Sequence, residues 1–387
     1  MTFKTADMDM LHGPLLKKLL LFTLPIALSS ILQQLFNAAD TAVVGYFGNK
    51  EALAAVGTNT EIIALIVTVS SGLSIGVNIL VARLIGKNHT ADIPSAIKTT
   101  VRLSIILGVL GMALGQFIAA PLLRLIRTPD HIFREAVLYL RVYMLGYPFL
   151  LLYDFGSAVL RARGDSRYPF LVLAFSGVAN VGLNLFLVMV FRMGVAGVAI
   201  ATAIAYTVSA GTLFVHLLKT DSVVRVTPRD LGLDPVALKR IVKIGLPAGI
   251  QSAVFAVANI IIQSAINSLG TEVMAASSAA MSLEYVCYNL LNSFSQACTT
   301  FVGQNHGARQ IDRCTKTLKV CLVEGGIVAL TTIVIIVGLG REILALFNSD
   351  PNIVSIGYIR VCSIFPAYAF SMFYENMSGY LRGFGIS

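Results

Sequence analysis

Ten stretches of this chain are rich in aliphatic residues and carry few charges: 15–44, 52–82, 99–123, 136–160, 168–191, 195–218, 241–268, 273–302, 317–340 and 353–381. At 1.5 Å of rise per residue, a helix of about 20 residues crosses a hydrocarbon layer roughly 30 Å thick. The polar residues inside these stretches return at helical intervals; Asn180 and Asn184 are four apart and fall on one face. No alternation of period two runs through them. Helices satisfy their own backbone polar groups in lipid, so the pattern predicts ten membrane-spanning helices separated by short polar loops.

Composition agrees. Hydrophobic residues make up 56% of the 387 and charged residues 13%, with mean hydropathy +0.79, outside the range of water-soluble domains. The first apolar stretch holds Gln33, Gln34, Asn37 and Asp40 and lacks a small-residue cleavage site, so it reads as a spanning helix and not a removable leader. There is no GxxxxGK[ST] phosphate loop, which argues against direct use of ATP. The five cysteines, all after residue 286, have no paired spacing and read as small apolar packing residues, so neither a metal nor a cofactor is expected.

The chain also resembles itself. At an offset of about 222 residues, Leu24-Pro25 falls on Leu246-Pro247, Asn37 on Asn259 and Gly48 on Gly270. After small gaps GKNH (86–89) meets GQNH (303–306), YLRV (139–142) meets YIRV (358–361), and LRARGDS (160–166) meets LRGFGIS (381–387). Duplicated halves of this size are typical of membrane transporters, whose halves rock about a shared central site. The expected organisation is an N-lobe over 1–218, a linker over 219–240 and a C-lobe over 241–387. The first copy continues for two helices beyond LRARGDS, whereas the sequence stops after LRGFGIS. Ten helices of an expected twelve are therefore present.

The charge of +9 reflects topology. Most Lys and Arg gather before the first helix and after each even-numbered one, including Lys4, Lys17, Lys18, Arg83, Lys87, Arg161, Arg163, Arg225, Arg229, Lys239, Arg309, Arg313 and Arg382. By the positive-inside rule the N-terminus, the 219–240 loop and Ser387 face the cytoplasm, placing the protein in the plasma (inner) membrane. Basic residues spread over short inter-helix loops are not a nucleic-acid surface.

Acids within apolar helices are candidates for function, because an ionised group at bilayer depth costs about 3 kcal/mol or more. Asp40, in LFNAADTAVVG, is the foremost: desolvation there disfavours the charged form, which suits reversible proton uptake. Its repeat mate is Ile262, so this chemistry belongs to one lobe. Asp154 and Glu375 are repeat mates placed to line or gate a cavity. Glu284 is a contact for a cationic substrate, and Glu324 a weaker candidate whose side chain snorkels. Asn180, Asn184 and Thr202 are either interhelical hydrogen-bonding residues or a polar pocket around Asp40.

With these residues in this order, the chain resembles the multidrug and toxic compound extrusion (MATE) family over its whole length. The resemblance rests on the Leu-Pro of each half, Asp40, FVGQNHGAR (301–309), LRARGDSRYP (160–169), the two asparagines leading to GVAGVAIAT (194–202), and SGYLRGFG (378–385). It implies an all-helical membrane protein of two pseudo-symmetric bundles, not an enzyme. Such a protein, read here as a monomer, exports cationic or amphipathic small molecules by proton or sodium antiport. It also implies that Asp40 works with Asn180, Asn184 and Thr202. Family members often carry aspartate where this chain has Asn184, and the seventh helix has no acid between Pro247 and Ser268; both departures favour protons over sodium. A flippase for lipid-linked sugars shares the duplicated architecture but needs several arginines in its cavity. The clear arginines within helices are Arg141 and Arg360.

Overall fold

The computed structural model describes residues 8–47, 50–89, 91–126, 128–220, 222–227, 232–346 and 350–386. Lys4, Arg229 and Ser387, which entered the topological expectation, lie outside them. The described residues form helices and no strand: α1 (Leu15–Phe47), α2 (Lys50–Gly86), α3 (Asp92–Leu125), α4 (Asp130–Leu145), α5 (Tyr147–Arg163), α6 (Arg167–Leu185), α7 (Gly194–Lys219), α8 (Pro235–Asn267), α9 (Thr271–Gly307), α10 (Ile311–Gly338), α11 (Gly340–Ala345), α12 (Pro351–Ile364) and α13 (Tyr368–Gly383).

Every predicted span falls on a helix or a bent pair, and two bends explain the larger number of elements. The stretch 136–160 turns by 45° between α4 and α5. There Gly146 packs against Ala203 and is followed by Pro148, whose ring cannot donate the next helical hydrogen bond. The stretch 353–381 breaks at Pro366, within a 3₁₀ turn over Phe365–Ala367. Eight helices among the described residues are long and apolar enough to span a bilayer, or nine when α4 and α5 count as one bent span. The 37-residue α9 is long enough but carries many polar groups, including Glu284, Asn289, Asn292, Gln296, Gln304 and Asn305. The expected ten is thus met approximately, α9 being the stretch that length and apolar composition together do not single out.

The linker is shorter than the apolar pattern suggests, because α8 begins at Pro235. Asp234 caps it, accepting from the Val236 amide at 2.8 Å, and proline suits the first helical position. The Asp234 carboxylate also accepts from the Ser95 hydroxyl at 3.0 Å. These donors, the Val236 amide first, hold its pKa below the ordinary aspartate value.

The two copies exchange the starting halves of their first helices. The starting half of α1 (Leu19, Phe22, Ile26) packs with Phe301, Val302, Cys314 and Cys321 of α9 and α10, and the Phe22 and Phe301 rings meet edge to face at 5.6 Å. The starting half of α8 (Ala237, Ile241) joins the core formed by α2, α3, α5 and α7. Four of the five free cysteines are buried in packing positions. Close helix approach depends on glycine: a methyl at Gly72 would overlap the backbone of Gly249, and one at Gly86 the Gln304 carbonyl. Asn78 and Thr300, related by the same offset of about 222, hydrogen-bond one another at 3.0 Å where the copies meet.

Candidate functional site

Asp40 lies near the end of α1, on the half that packs against α6 and α7. The turn joining those two helices is short. After Leu185 the helix widens into a π-helical segment (Phe186–Val190), Arg192 and Gly194 adopt positive φ, and α7 returns alongside. The reversal sets Asn180 and Asn184 of α6 opposite Thr202 of α7, all three buried around a carboxylate that is itself 9% exposed. Asn184 Nδ2 donates to Asp40 Oδ1, and the Thr202 hydroxyl donates to Oδ2 at 3.3 Å.

Asn180 completes the cluster. With its nitrogen toward the acid it donates to Asp40 Oδ1 at 2.8 Å and accepts from the Thr202 amide at 3.3 Å, the arrangement a carboxylate requires.

Hydroxyl groups border this cluster on the α4 side. Tyr139, Tyr143 and Tyr147 recur every four residues; Tyr143 and Tyr206 share a hydrogen bond at 3.0 Å, and Tyr147 pairs with Ser70 at 2.7 Å. Tyr206 lies close enough to both Asp40 and Asp154 for a through-space interaction with each. Sequence reading missed these tyrosines, although their four-residue spacing was visible.

The remaining candidates separate. Asp154 and Glu375 line a second space, a cavity of about 320 Å³ between the copies that Asp40 does not reach. Glu375 accepts from the Tyr288 hydroxyl at 3.4 Å and from Asn292 at 3.2 Å. Asp154 Oδ2 is buried and accepts from no described residue. Glu284 is not in this cavity. It is held by Arg360 of α12 in an ion pair, through two hydrogen bonds of 2.8 and 3.2 Å. Glu324 does not snorkel: it is 7% exposed, and neither carboxylate oxygen has a partner among the described residues. Arg161 and Arg382, read from the sequence as loop charges, belong to α5 and α13 and line the central cavity. Arg141 bonds the Gln116 carbonyl at an exposed position. No cluster of three metal-ligating side chains occurs among the described residues.

A sequence model of the MatE family matches residues 25–186 and 247–387. The chain is 30% identical over 379 residues to the probable multidrug resistance protein YpnP of Bacillus subtilis, covering 97% of this chain and 84% of that one. It is 28% identical over 378 residues to the probable multidrug resistance protein NorM of Thermotoga maritima, covering 95% and 80%. Among solved structures it is similar to the outward-facing conformation of a multidrug resistance MATE family transporter of the MOP superfamily. The TM-score there is 0.91 at 23% identity, over 99% of this chain and 86% of the other.

Proposed function

Because the chain belongs to the MatE family, a family of membrane transporters and not enzymes, we propose that it exports cationic or amphipathic compounds by exchanging them for protons carried on Asp40. The observation that carries this reading is the paired architecture of the N-lobe. A buried carboxylate sits in a pocket of neutral amide and hydroxyl donors, apart from a second polar cavity shared by the two copies. Alternating access then follows if proton uptake at Asp40 repacks α1 against α6 and α7 while the cavity changes the side to which it opens.

Protons are favoured over sodium as the coupling ion because Asn184 stands where a second carboxylate would strengthen a cation site. One proton exchanged for one monovalent cation moves no net charge, so each unit of pH difference supplies about 1.4 kcal/mol, or roughly tenfold accumulation. A lipid-linked sugar flippase is less well supported, since among the described residues only Arg161 and Arg382 bring positive charge to the cavity lining.

Asp40→Asn keeps the shape and an acceptor for Asn184 while fixing the neutral state. In vesicles with an imposed pH gradient, the variant should lose gradient-driven ethidium transport and still elute as a folded protein. Normal transport by Asp40→Asn, or transport by the parent protein driven only by a sodium gradient, refutes the proposal.

A further inference from the structure

The helices that meet at Asp40 continue past it and wall another hollow, a cavity of about 690 Å³ within the N-lobe, apart from the one between the copies. Its lining keeps register with the Asp40 cluster. Phe47 follows Asp40 by seven residues on α1, and Val188 follows Asn184 by four in the widened segment that ends α6. Val195 precedes Thr202 by seven on α7, and Glu135 precedes Tyr139 by four on α4. Four and seven residues are close to one and two turns, so each lining residue shares a helix face with its partner in the cluster, about 6 to 10 Å further along the axis. The offsets run forward on α1 and α6 and backward on α4 and α7. All four therefore lead to one side, the side that the charge pattern places outside the cell.

A thin apolar layer separates this cavity from the acid. Val188 and Val195, which line it, pack in one cluster with Val43, Val44 and Tyr139. Tyr139 lies close enough to Asp40 for a through-space interaction. Glu135 and Arg192 are the charged residues of the lining, and no ion pair joins them among the described residues. Arg124, Asp130, His131 and Arg134, the other charges at this end of α3 and α4, are exposed and stand outside the lining. Glu135 is half-buried, and its Oε2 is buried without a donor among the described residues. Beside the same turn of α4, Asn59 of α2 donates through Nδ2 to the Ala136 carbonyl at 3.0 Å and keeps a buried Oδ1 without a donor. A carboxylate with a structural task is paired, as Glu284 is by Arg360. Buried acceptors are ordinarily satisfied, so two orphaned ones on the way to Asp40 suit a mobile donor such as water or hydronium.

We propose that Glu135 relays protons between this cavity and Asp40. Its carboxylate takes a proton from hydronium in the cavity, leaving water, and becomes the neutral acid. The Tyr139 hydroxyl then donates its proton toward Asp40 as it accepts the one from Glu135, which returns to its carboxylate form. One proton is moved inward by one turn of α4, and only Asp40 ends in a changed state. Arg192 cannot serve in this way, because a guanidinium keeps its protons, and the valines of the lining have no group that binds one. The relay rests on the reading of Asp40 as the proton carrier and supplies the route by which that carrier is reached.

Ethidium transport by the full chain in vesicles, with the acidic solution on the cavity side, tests the relay. At low buffer concentration Glu135→Gln should lower the maximal rate about tenfold or more, the scale of one proton-transferring group, and leave the half-saturating ethidium concentration unchanged. Raising the impermeant buffer MES at constant pH and ionic strength should restore the variant's rate, because buffer in the cavity delivers the protons that Glu135 no longer does. The parent's rate should not respond to buffer, and Glu135→Asp should keep most of it. A Glu135→Gln rate equal to the parent's, a slow rate that buffer does not restore, or an aspartate variant as slow as the glutamine one overturns the relay and leaves export standing. A parent protein without proton-driven transport overturns the relay together with the export reading. Should Glu135→Gln not fold, Met189→Cys decides, since Met189 also lines the cavity. In a background lacking the native cysteines, labelling it with a bulky impermeant maleimide should slow proton-driven transport, and an unchanged rate after complete labelling overturns the proposal.

Discussion

Asp40 and Glu284 show how little a residue's type says about its role within the membrane. Both are acids in apolar helices, but one is surrounded by neutral amide and hydroxyl groups and the other is clamped by a guanidinium. Converting Asn184 to Asp would put two carboxylates on adjacent helices, and like charges so close cannot both ionise readily. On our proposal, Asn184→Asp should therefore introduce a sodium dependence into transport that the parent protein lacks. Equal transport with and without sodium in the variant counts against that account. At the second acid, the Glu284–Arg360 side chains are only 15% and 18% exposed. Removing one partner leaves a largely buried charge uncompensated, so Glu284→Gln should cost about 3 kcal/mol of stability. Thermal unfolding in detergent reads this directly, and it should do so without changing dye binding in the central cavity.

At the level of helices, the crossings are set by small residues and not by hydrophobic matching, as expected where lipid is as apolar as leucine. The end of α2 meets the end of α9 through Gly86 and Gly307, whose missing side chains admit the Gln304 and Arg83 carbonyls. The same end is tied by the segment before α1: Met10 is fully buried, and its carbonyl accepts from both Asn305 and Arg313 at 3.2 Å. A leucine at Gly86 cannot be fitted without separating the backbones. Gly86→Leu should therefore shift the protein toward a conformation open at this end, read as a longer spin-label distance between α2 and α9. An unchanged distance distribution would mean that the contact does not hold the two helices closed. Parts of this level are legible in sequence: the ten apolar runs appear as helices or bent pairs, and Pro148 and Pro366 mark the bends. The exchange of α1 and α8 between the copies is not legible, because a helix's apolar face does not name the partner it will meet.

For the whole molecule, orientation is an expectation from charge. With the N-terminus inside, a cysteine replacing Ser222 between α7 and α8, in a background lacking the five native cysteines, should resist a membrane-impermeant maleimide in intact cells and react after lysis. Labelling in intact cells reverses the orientation and, with it, the side from which protons enter.

Sequence by itself determined that this is a helical membrane protein built twice over, because hydropathy, helical period and repeated motifs are properties of the chain read in order. It also marked which acids fall within apolar runs, since that is read directly from their position in the chain. Only the tertiary structure decided how those acids divide: Asp40 with two asparagines and a threonine, Glu284 with Arg360, and Asp154 and Glu375 with two arginines that sequence reading had assigned to loops. The physical reason is that a charge takes its meaning from the groups within a few ångströms, and in a bundle those groups come from helices far away in the chain. Arg161 looks the same in sequence whether it ends a helix at the membrane surface or turns inward. Its distance from Gln296, 135 residues later, settles which.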